Sequence, residues 1–196
     1  MTIGVVLLAA GSGSRYQGPT HKLHAALPGA PPLYRQALDA TIDAQVGPIV
    51  VVTGQARLVL PPSSPTGPGV WAVHNPAWAA GQATSLACAV RWATAAGWDA
   101  MVVGLADQPG ILASAWRAVS VAQGAIAVAT YDGRRRNPVK LARDVWPLLA
   151  EAGDEGARQL MRMRPELVEE VPCSGRPVDI DTVEDLEKWS SSTTSP

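Results

Sequence analysis

Short apolar runs that alternate with amphipathic stretches are the feature that most constrains how this chain can fold. The runs contain almost no polar residues, as expected for strands covered on both faces, and they occupy 3–8, 48–53, 70–73, 100–105 and 125–130. Between them, 32–45 and 85–96 carry apolar residues at the spacing of one helical face. Strands that alternate with helices predict an α/β fold, a three-layer α/β/α sandwich around a mostly parallel mixed sheet.

The length of the chain predicts one domain. Its 196 residues fall below the roughly 250 residues at which a single hydrophobic core stops growing. We assign this domain to 1–189. The segment 190–196 reads SSSTTSP and is predicted to be a disordered polar tail, because it has too few apolar residues to pack.

Charge and cysteine content argue against several classes of partner. Lys and Arg total 16 and Asp and Glu total 17, so the net charge of −1 implies neither a nucleic acid nor a membrane surface as a partner. The opening residues MTIGVVLLAAG lack a basic leader, which favours a buried strand over a signal peptide. Cys88 and Cys173 form no CxxC pair, so no zinc site or disulfide framework is expected. These features predict a cytoplasmic protein.

The segment LLAAGSGSRYQGPTHKL at 7–23 leaves an apolar strand and turns to glycine, serine and two cations, a composition typical of a phosphate-binding loop. A Walker loop is excluded because Pro19 stands where its lysine belongs. A dinucleotide fingerprint is excluded because Tyr16 replaces its third glycine. The pattern that fits is L-A-A-G-x-G-x-R followed by a lysine, and its matching residues are Leu8, Ala9, Ala10, Gly11, Gly13, Arg15 and Lys22.

This loop resembles the signature of the MobA/MocA-like nucleotidyltransferases, and most closely that of the molybdenum cofactor cytidylyltransferases. The resemblance continues in order through NPAWAAGQATSL (75–86), LADQP (105–109), GDEGAR (153–158) and DIDT (179–182). It covers about 3–189 and implies a Rossmann-like nucleotidyltransferase fold. The combination of motifs is far more specific than any one of them.

Two departures from the family pattern are visible. The spacing RYQGPTHK between Arg15 and Lys22 is about two residues longer than the family's R-x-G-x-x-K. Arg136 occupies the position of a glycine that usually precedes Asn137. Because of these departures, a protein of this fold that binds nucleotide without turnover stays an alternative.

Carboxylates at the ends of apolar segments are candidate metal ligands. Asp107 follows a strand, at the edge where open α/β sheets bind ligands, and the resemblance implies that it holds Mg²⁺. Asp181 is the second candidate, and Asp179 is the alternate, because both would share one face of an extended segment. The competing interpretation of this region is a helix start, with Thr182 and Asp185 as a capping box.

Further site residues follow from position and from the resemblance. Thr53 and Gly54 end a strand at the expected ligand edge. Gly81 and Ser85 are placed to approach the base or ribose, although Ser85 could simply cap a helix. Asn137 and Arg158 are expected to contact the acceptor substrate. The arginines that precede Asn137 could equally form a solvated loop.

The resemblance implies transfer of CMP from CTP to the phosphate of molybdopterin, with release of pyrophosphate. Arg15, Lys22 and Asp107 would be catalytic, with the cations neutralising charge on the departing phosphates. Ala10 resembles the cytidylyl branch, whereas a glycine there is usual in the guanylyl branch. The alternatives are a guanylyltransferase, a maturation factor that partners a molybdenum hydroxylase, or a non-catalytic nucleotide-binding protein.

Overall fold

A computed structural model describes residues 1–62 and 69–193 and contains a seven-stranded sheet in the order β3-β2-β1-β4-β6-β5-β7. Strand β6 runs antiparallel to β4 and β5, and the other neighbouring pairs are parallel. The α/β fold with a mostly parallel mixed sheet is thereby confirmed. The strands are β1 Ile3–Ala9, β2 Ile49–Thr53, β3 Val70–His74, β4 Ala100–Leu105, β5 Ile126–Tyr131, β6 Arg134–Ala142 and β7 Val168–Pro172.

Helices cover both faces of the sheet, which explains the two-sided burial of its central strands. Val5 and Leu7 of β1 pack in one core with α1 and α3, whereas Val6 and Leu8 pack in a second core with α2 and α4. Because successive side chains of a strand point to opposite faces, an apolar residue is needed at every position of β1. The helices are α1 Leu33–Ala44, α2 Gln82–Ala95, α3 Ala113–Val121, α4 Ala157–Met163 and α5 Val183–Thr193.

Strand β6 had no clear signal in the sequence. It begins with exposed arginines and contains Pro138, which has no N–H to donate to a neighbouring strand. The pairing of β5 with β6 shifts at this point, from Val128 opposite Val139 to Ala129 opposite Arg136. Asn137 therefore lies at an irregularity of the sheet, where its side chain reaches another segment of the chain.

Helix α5 begins with the capping box expected from the sequence. The backbone N–H of Asp185 donates to Thr182 Oγ1 at 3.1 Å, and the N–H of Thr182 donates to Asp185 Oδ2 at 2.9 Å. Leu186 packs with Leu33 and Ile180 in a third apolar cluster. The helix continues through 190–193, part of the segment for which the sequence predicted a disordered tail, while 194–196 lie outside the described residues.

Within 1–62 and 69–193, no helix is both long enough and apolar enough to span a membrane.

Candidate active site

A cleft lies where the parallel strands β1 and β4 end. These strands are neighbours in the sheet, and the chain order reverses between them, since β2 and β3 lie on one side of β1 and β4 on the other. Such a switch point leaves a crevice at the carboxyl ends of the strands. The cleft has a volume of about 610 Å³, and its walls are the loop after β1, the end of β4 and the segment before α2.

Most of the predicted nucleotide and metal residues line this cleft, although they come from distant parts of the chain. Thr53 and Gly54 do not line it. The predicted residues that do are Leu8, Ala9, Ala10, Gly11, Gly13, Arg15, Lys22, Gly81, Ser85, Asp107 and Asp181.

Gly54 supports the loop from behind. A Cβ atom at Gly54 would stand 2.3 Å from the carbonyl oxygen of Ala10, so only glycine fits there without displacing the loop. Thr53 Oγ1 donates to the carbonyl of Val73 within the sheet. We therefore assign these two residues to the support of the cleft rather than to its surface.

Gly13 allows the loop to turn back over Lys22. Its φ angle of +62° lies in the left-handed region, and a Cβ there would stand 3.0 Å from Lys22 Cγ. The turn closes with a hydrogen bond from the N–H of Tyr16 to the carbonyl of Gly13 at 2.9 Å. This tight turn places the backbone of the loop after β1 in the wall of the cleft.

Lys22 reaches both candidate metal ligands despite the longer loop. Its Nζ atom lies 2.6 Å from Asp107 Oδ2 and 2.8 Å from Asp181 Oδ1. Lys22 begins a short 3₁₀ turn, Lys22–His24, in which His21 Nδ1 accepts a hydrogen bond from the N–H of Leu23. The extra residues between Arg15 and Lys22 are accommodated within this loop, and the lysine still enters the cleft.

Arg15 completes a four-residue charge cluster with these three groups. Its Nη2 atom lies 3.0 Å from Asp181 Oδ2, and its side chain is 76% exposed, compared with 11% for Lys22. Burial lowers the pKa of the Lys22 ammonium, but the charges and hydrogen bonds of Asp107 and Asp181 outweigh burial and raise that pKa above its usual value. Lys22 is therefore a cation at neutral pH.

The carboxylates of the cluster suit a divalent cation such as Mg²⁺. Asp107 Oδ1 is buried and has no hydrogen-bond partner, so this hard oxygen donor is not committed to another protein group. In the part of the chain that the structure describes, no group of three or more His, Cys, Asp or Glu residues could hold a metal. An ion held by Asp107 and Asp181 would need further ligands, and substrate phosphates commonly supply them to Mg²⁺.

Asp179 is not among the residues that line the cleft. Its Oδ1 atom accepts a hydrogen bond from Gln108 Nε2 at 2.8 Å, and its side chain lines a second cavity. Although Asp179 is exposed as a whole, desolvation of its carboxyl first, and the nearby charge of Asp107 second, raise the pKa of that carboxyl above its usual value. The two aspartates of the DIDT segment were expected to share one face, but they line different cavities. Asp181 is the aspartate that contacts Lys22.

The second cavity has a volume of about 570 Å³ and adjoins the cleft, since Leu8 and Gln82 line both. Both predicted acceptor residues, Asn137 and Arg158, belong to its wall, and so does Arg136. The floor is apolar and consists of residues from the sheet and from helices α2 and α4, among them Leu86, Val103, Val128, Val139 and Met161. Arginines above an apolar floor suit an organic anion, although the carboxylates of Glu155 and Asp179 also line this cavity.

Several residues of the site were missed by sequence reasoning. These residues are Trp78, Gln82 and Asp154, which line the cleft. Each lies within a motif that resembles the family, and this position was the only indication in the sequence that it belongs to the site. Ser85 does not cap α2, because that helix begins at Gln82, and Ser85 Oγ instead accepts a hydrogen bond from the buried Asn75. The nearest functional signal for Gln108 was its position directly after Asp107.

Comparison with known proteins gives the chain its family context. The sequence profile of the MobA-like NTP transferase domain matches residues 5–171. The nicotine blue oxidoreductase of Paenarthrobacter nicotinovorans is 30% identical over 202 residues, covering 92% of this chain and 93% of that protein. The purine catabolism protein PucB of Bacillus subtilis is 34% identical over 112 residues, and this alignment spans 55% of this chain and 55% of PucB.

Solved structures share the fold. A nucleotidyl transferase from Methanothermobacter superimposes with a TM-score of 0.77 at 23% identity, over 97% of both chains. A Mycobacterium tuberculosis protein in complex with manganese superimposes with a TM-score of 0.73 at 23% identity, over 98% of this chain and 100% of that one. The Rossmann-like nucleotidyltransferase fold is thereby confirmed, and because the family profile matches the greater part of its length, the chain belongs to the MobA-like NTP transferase family.

Proposed function

We propose that the protein transfers a nucleotidyl group from a nucleoside triphosphate in the cleft to a phosphorylated small molecule in the second cavity. The observation that carries the proposal is the convergence of Lys22, Asp107 and Asp181 beneath a glycine loop, beside a cavity rimmed with arginine. This set combines fixed cations with hard oxygen ligands, which is the equipment that phosphoryl-type transfer requires.

The roles of the residues follow from their places in the cleft. The backbone from Ala9 to Gly13 would hold the triphosphate, while Arg15 and Lys22 would neutralise the β- and γ-phosphates. An oxygen of the acceptor phosphate attacks the α-phosphorus in line, the bond from that phosphorus to the bridging oxygen breaks, and pyrophosphate leaves. No general base is required, because an acceptor phosphate is already ionised at neutral pH.

Asp107 and Asp181 are the residues that would hold the divalent cation, with Mg²⁺ as the proposed ion. When bound, the ion would offset the negative charge of the triphosphate. The buried, unpartnered Asp107 Oδ1 supports this assignment, as does the manganese complex of the tuberculosis protein. Because Lys22 already contacts both carboxylates, the lysine and the ion must share them or exchange places.

CTP is the proposed donor and the phosphate of molybdopterin the proposed acceptor. Ala10 supports CTP, since it is buried in the wall of the cleft and resembles the cytidylyl branch of the family. The apolar floor of the second cavity and the arginines in its wall support a flat heterocycle that carries a phosphate. The purine-catabolism name of PucB is compatible with a molybdenum hydroxylase that acts on purines as the downstream partner.

The name of the other relative refers to an oxidoreductase, whereas the cleft of this chain favours phosphate chemistry. Tyr16 stands where a dinucleotide-binding loop needs its third glycine, and cations and carboxylates converge on the cleft wall. Reduction or oxidation of a nicotinamide cofactor by the purified protein would favour redox chemistry over nucleotidyl transfer.

The proposal is tested by pyrophosphate release with a panel of CTP, GTP, ATP and UTP, each with molybdopterin and with Mg²⁺ or Mn²⁺. We expect turnover with CTP that is lost in Asp107→Ala. Turnover that is faster with GTP would identify a guanylyltransferase instead. Nucleotide binding by calorimetry without turnover of any pair would contradict catalysis and support a non-catalytic nucleotide-binding protein.

A further inference from the structure

We infer that Gln108 is a positioning residue that fixes two walls of the acceptor cavity without touching the acceptor itself. Gln108 directly follows Asp107, its side chain is buried at 2% exposure, and it lines neither the cleft nor the second cavity. The inference rests on the proposed function, because it assigns the second cavity to the acceptor.

Both ends of the Gln108 carboxamide are engaged. Oε1 accepts a hydrogen bond from Asn137 Nδ2 at 2.8 Å, and Nε2 donates to Asp179 Oδ1 at 2.8 Å. A carboxylate oxygen accepts and does not donate, so the amide nitrogen must face Asp179. Only one orientation of the Gln108 amide makes both contacts, and that orientation in turn requires the nitrogen of Asn137 to face Gln108.

The two residues held by Gln108 come from unrelated parts of the chain. Asn137 lies at the irregularity of β6, and Asp179 lies in the segment before α5, yet both line the second cavity. Gln108 joins them from the loop after β4. Neither residue is part of a regular backbone ladder that would fix its side chain, so the buried amide supplies the constraint that the local backbone lacks.

The neutral charge of Gln108 also matters in this place. Asp179 lies close enough to Asp107 and Asp181 for their charges to act on it. An amide donor satisfies the Asp179 carboxylate without adding charge or drawing Lys22 away from the other two aspartates. A carboxylate at position 108 would add a further negative charge and remove the only donor that Gln108 offers to Asp179.

The test compares Gln108→Met, which keeps the length of the side chain, with Gln108→Glu, which keeps its shape. We expect both variants to raise the acceptor KM about tenfold or more, which corresponds to a loss of about 1.4 kcal/mol in acceptor binding. The nucleotide Kd should stay within about twofold of the wild-type value. The double variant Gln108→Glu with Asp179→Asn restores a hydrogen bond of reversed direction, and we expect partial recovery of KM relative to Gln108→Glu alone.

Ser120→Ala is the matched control for the loss of a buried hydrogen bond, because Ser120 on α3 donates to Arg117 and lines neither cavity. We expect Ser120→Ala to leave the acceptor KM and the nucleotide Kd unchanged. An acceptor KM within twofold of the wild type in Gln108→Met would overturn the inference, as would a parallel loss of nucleotide affinity and acceptor affinity.

A second readout separates this inference from the proposed function. In the wild type, the side-chain amide protons of Asn137 should exchange slowly with solvent by NMR, and in Gln108→Met they should exchange rapidly. If the wild type turns over no acceptor in the panel, the proposed function fails, and the exchange measurement alone decides whether Gln108 holds Asn137. Unchanged exchange in Gln108→Met would overturn that role.

Discussion

The ammonium of Lys22 lies 2.6 Å from the carboxylate of Asp107, although 85 positions separate the two residues along the chain. The carboxylate of Asp181 contacts the same nitrogen at 2.8 Å. One cation therefore holds together two carboxylates that would otherwise repel each other in a largely buried place. The loop after β1, the end of β4 and the segment before α5 meet at this atom.

Replacement of this cation should destabilise the fold and change its response to metal. We expect Lys22→Met to lower the free energy of unfolding by about 3 kcal/mol, because Asp107 loses its charged partner and Asp181 keeps only the exposed Arg15. Added Mn²⁺ should stabilise the variant more than the wild type, since the ion no longer has to displace an ammonium. Urea denaturation with and without Mn²⁺ measures both effects.

The matched control for Lys22→Met is Arg35→Met, which removes the partly exposed pair with Asp39 on α1. We expect it to cost less than about 1 kcal/mol and to leave the response to Mn²⁺ unchanged. Equal stabilisation of the wild type and Lys22→Met by Mn²⁺ would show that Lys22 and the ion do not compete for the carboxylates.

The separation of Asp179 from Asp181 predicts different metal binding by two neighbouring variants. Asp181→Asn should weaken Mn²⁺ binding about tenfold or more in the presence of nucleotide, because it removes one of the two carboxylates proposed to hold the ion. Asp179→Asn should leave Mn²⁺ affinity within about threefold, because Asp179 faces Gln108 and the second cavity. Titration followed by electron paramagnetic resonance of free Mn²⁺ compares them, and equal losses would contradict the assignment.

The glycine behind the loop is predicted to act through the fold rather than through contact with the nucleotide. Gly54→Ala would force a Cβ to within 2.3 Å of the Ala10 carbonyl, so we expect a loss of about 2 kcal/mol in stability together with weaker nucleotide binding. At Gly11 a Cβ would meet no atom within 4 Å, so Gly11→Ala should retain stability. Thermal melts and nucleotide calorimetry test the pair, and a Gly54→Ala protein as stable as the wild type would contradict this account.

The capping box of α5 predicts a pH-dependent contribution to stability. Hydrogen bonds from Thr182 lower the pKa of the Asp185 carboxyl below its usual value. Because the folded pKa is depressed, the stabilisation is present above the unfolded pKa of about 3.9 and disappears as pH falls through the folded pKa. Asp185→Asn should therefore melt below the wild type at pH 7, and the difference should shrink with acidification to about pH 2. A difference that is constant with pH would exclude this linkage.

The central strands could be predicted from the sequence because both of their faces are buried. Continuous apolar runs at 3–8 and 100–105 correspond closely to β1 and β4, since no position of either strand is available to a polar residue. Strand β6, which lies between β4 and β5, and the edge strand β7 were harder to predict. Strand β6 begins with exposed arginines and contains Pro138, and β7 is short and only partly buried, so neither has the pattern of a central strand.

The sequence by itself determined the α/β class and the glycine loop after the first strand, because these depend on local pattern. It supplied the charged residues of the cleft through its resemblance to the nucleotidyltransferase family. Tertiary structure alone decided that Lys22 reaches Asp107 and that Asp179 and Asp181 diverge. The backbone between 176 and 182 is not a regular strand, and its path depends on long-range bonds, such as that from the N–H of Ile180 to the carbonyl of Asp107. Successive side chains point to opposite sides only where regular pairing with a neighbouring strand fixes the backbone. At 176–182 the backbone is fixed by hydrogen bonds to distant segments, so the sequence could not predict where Asp179 and Asp181 point.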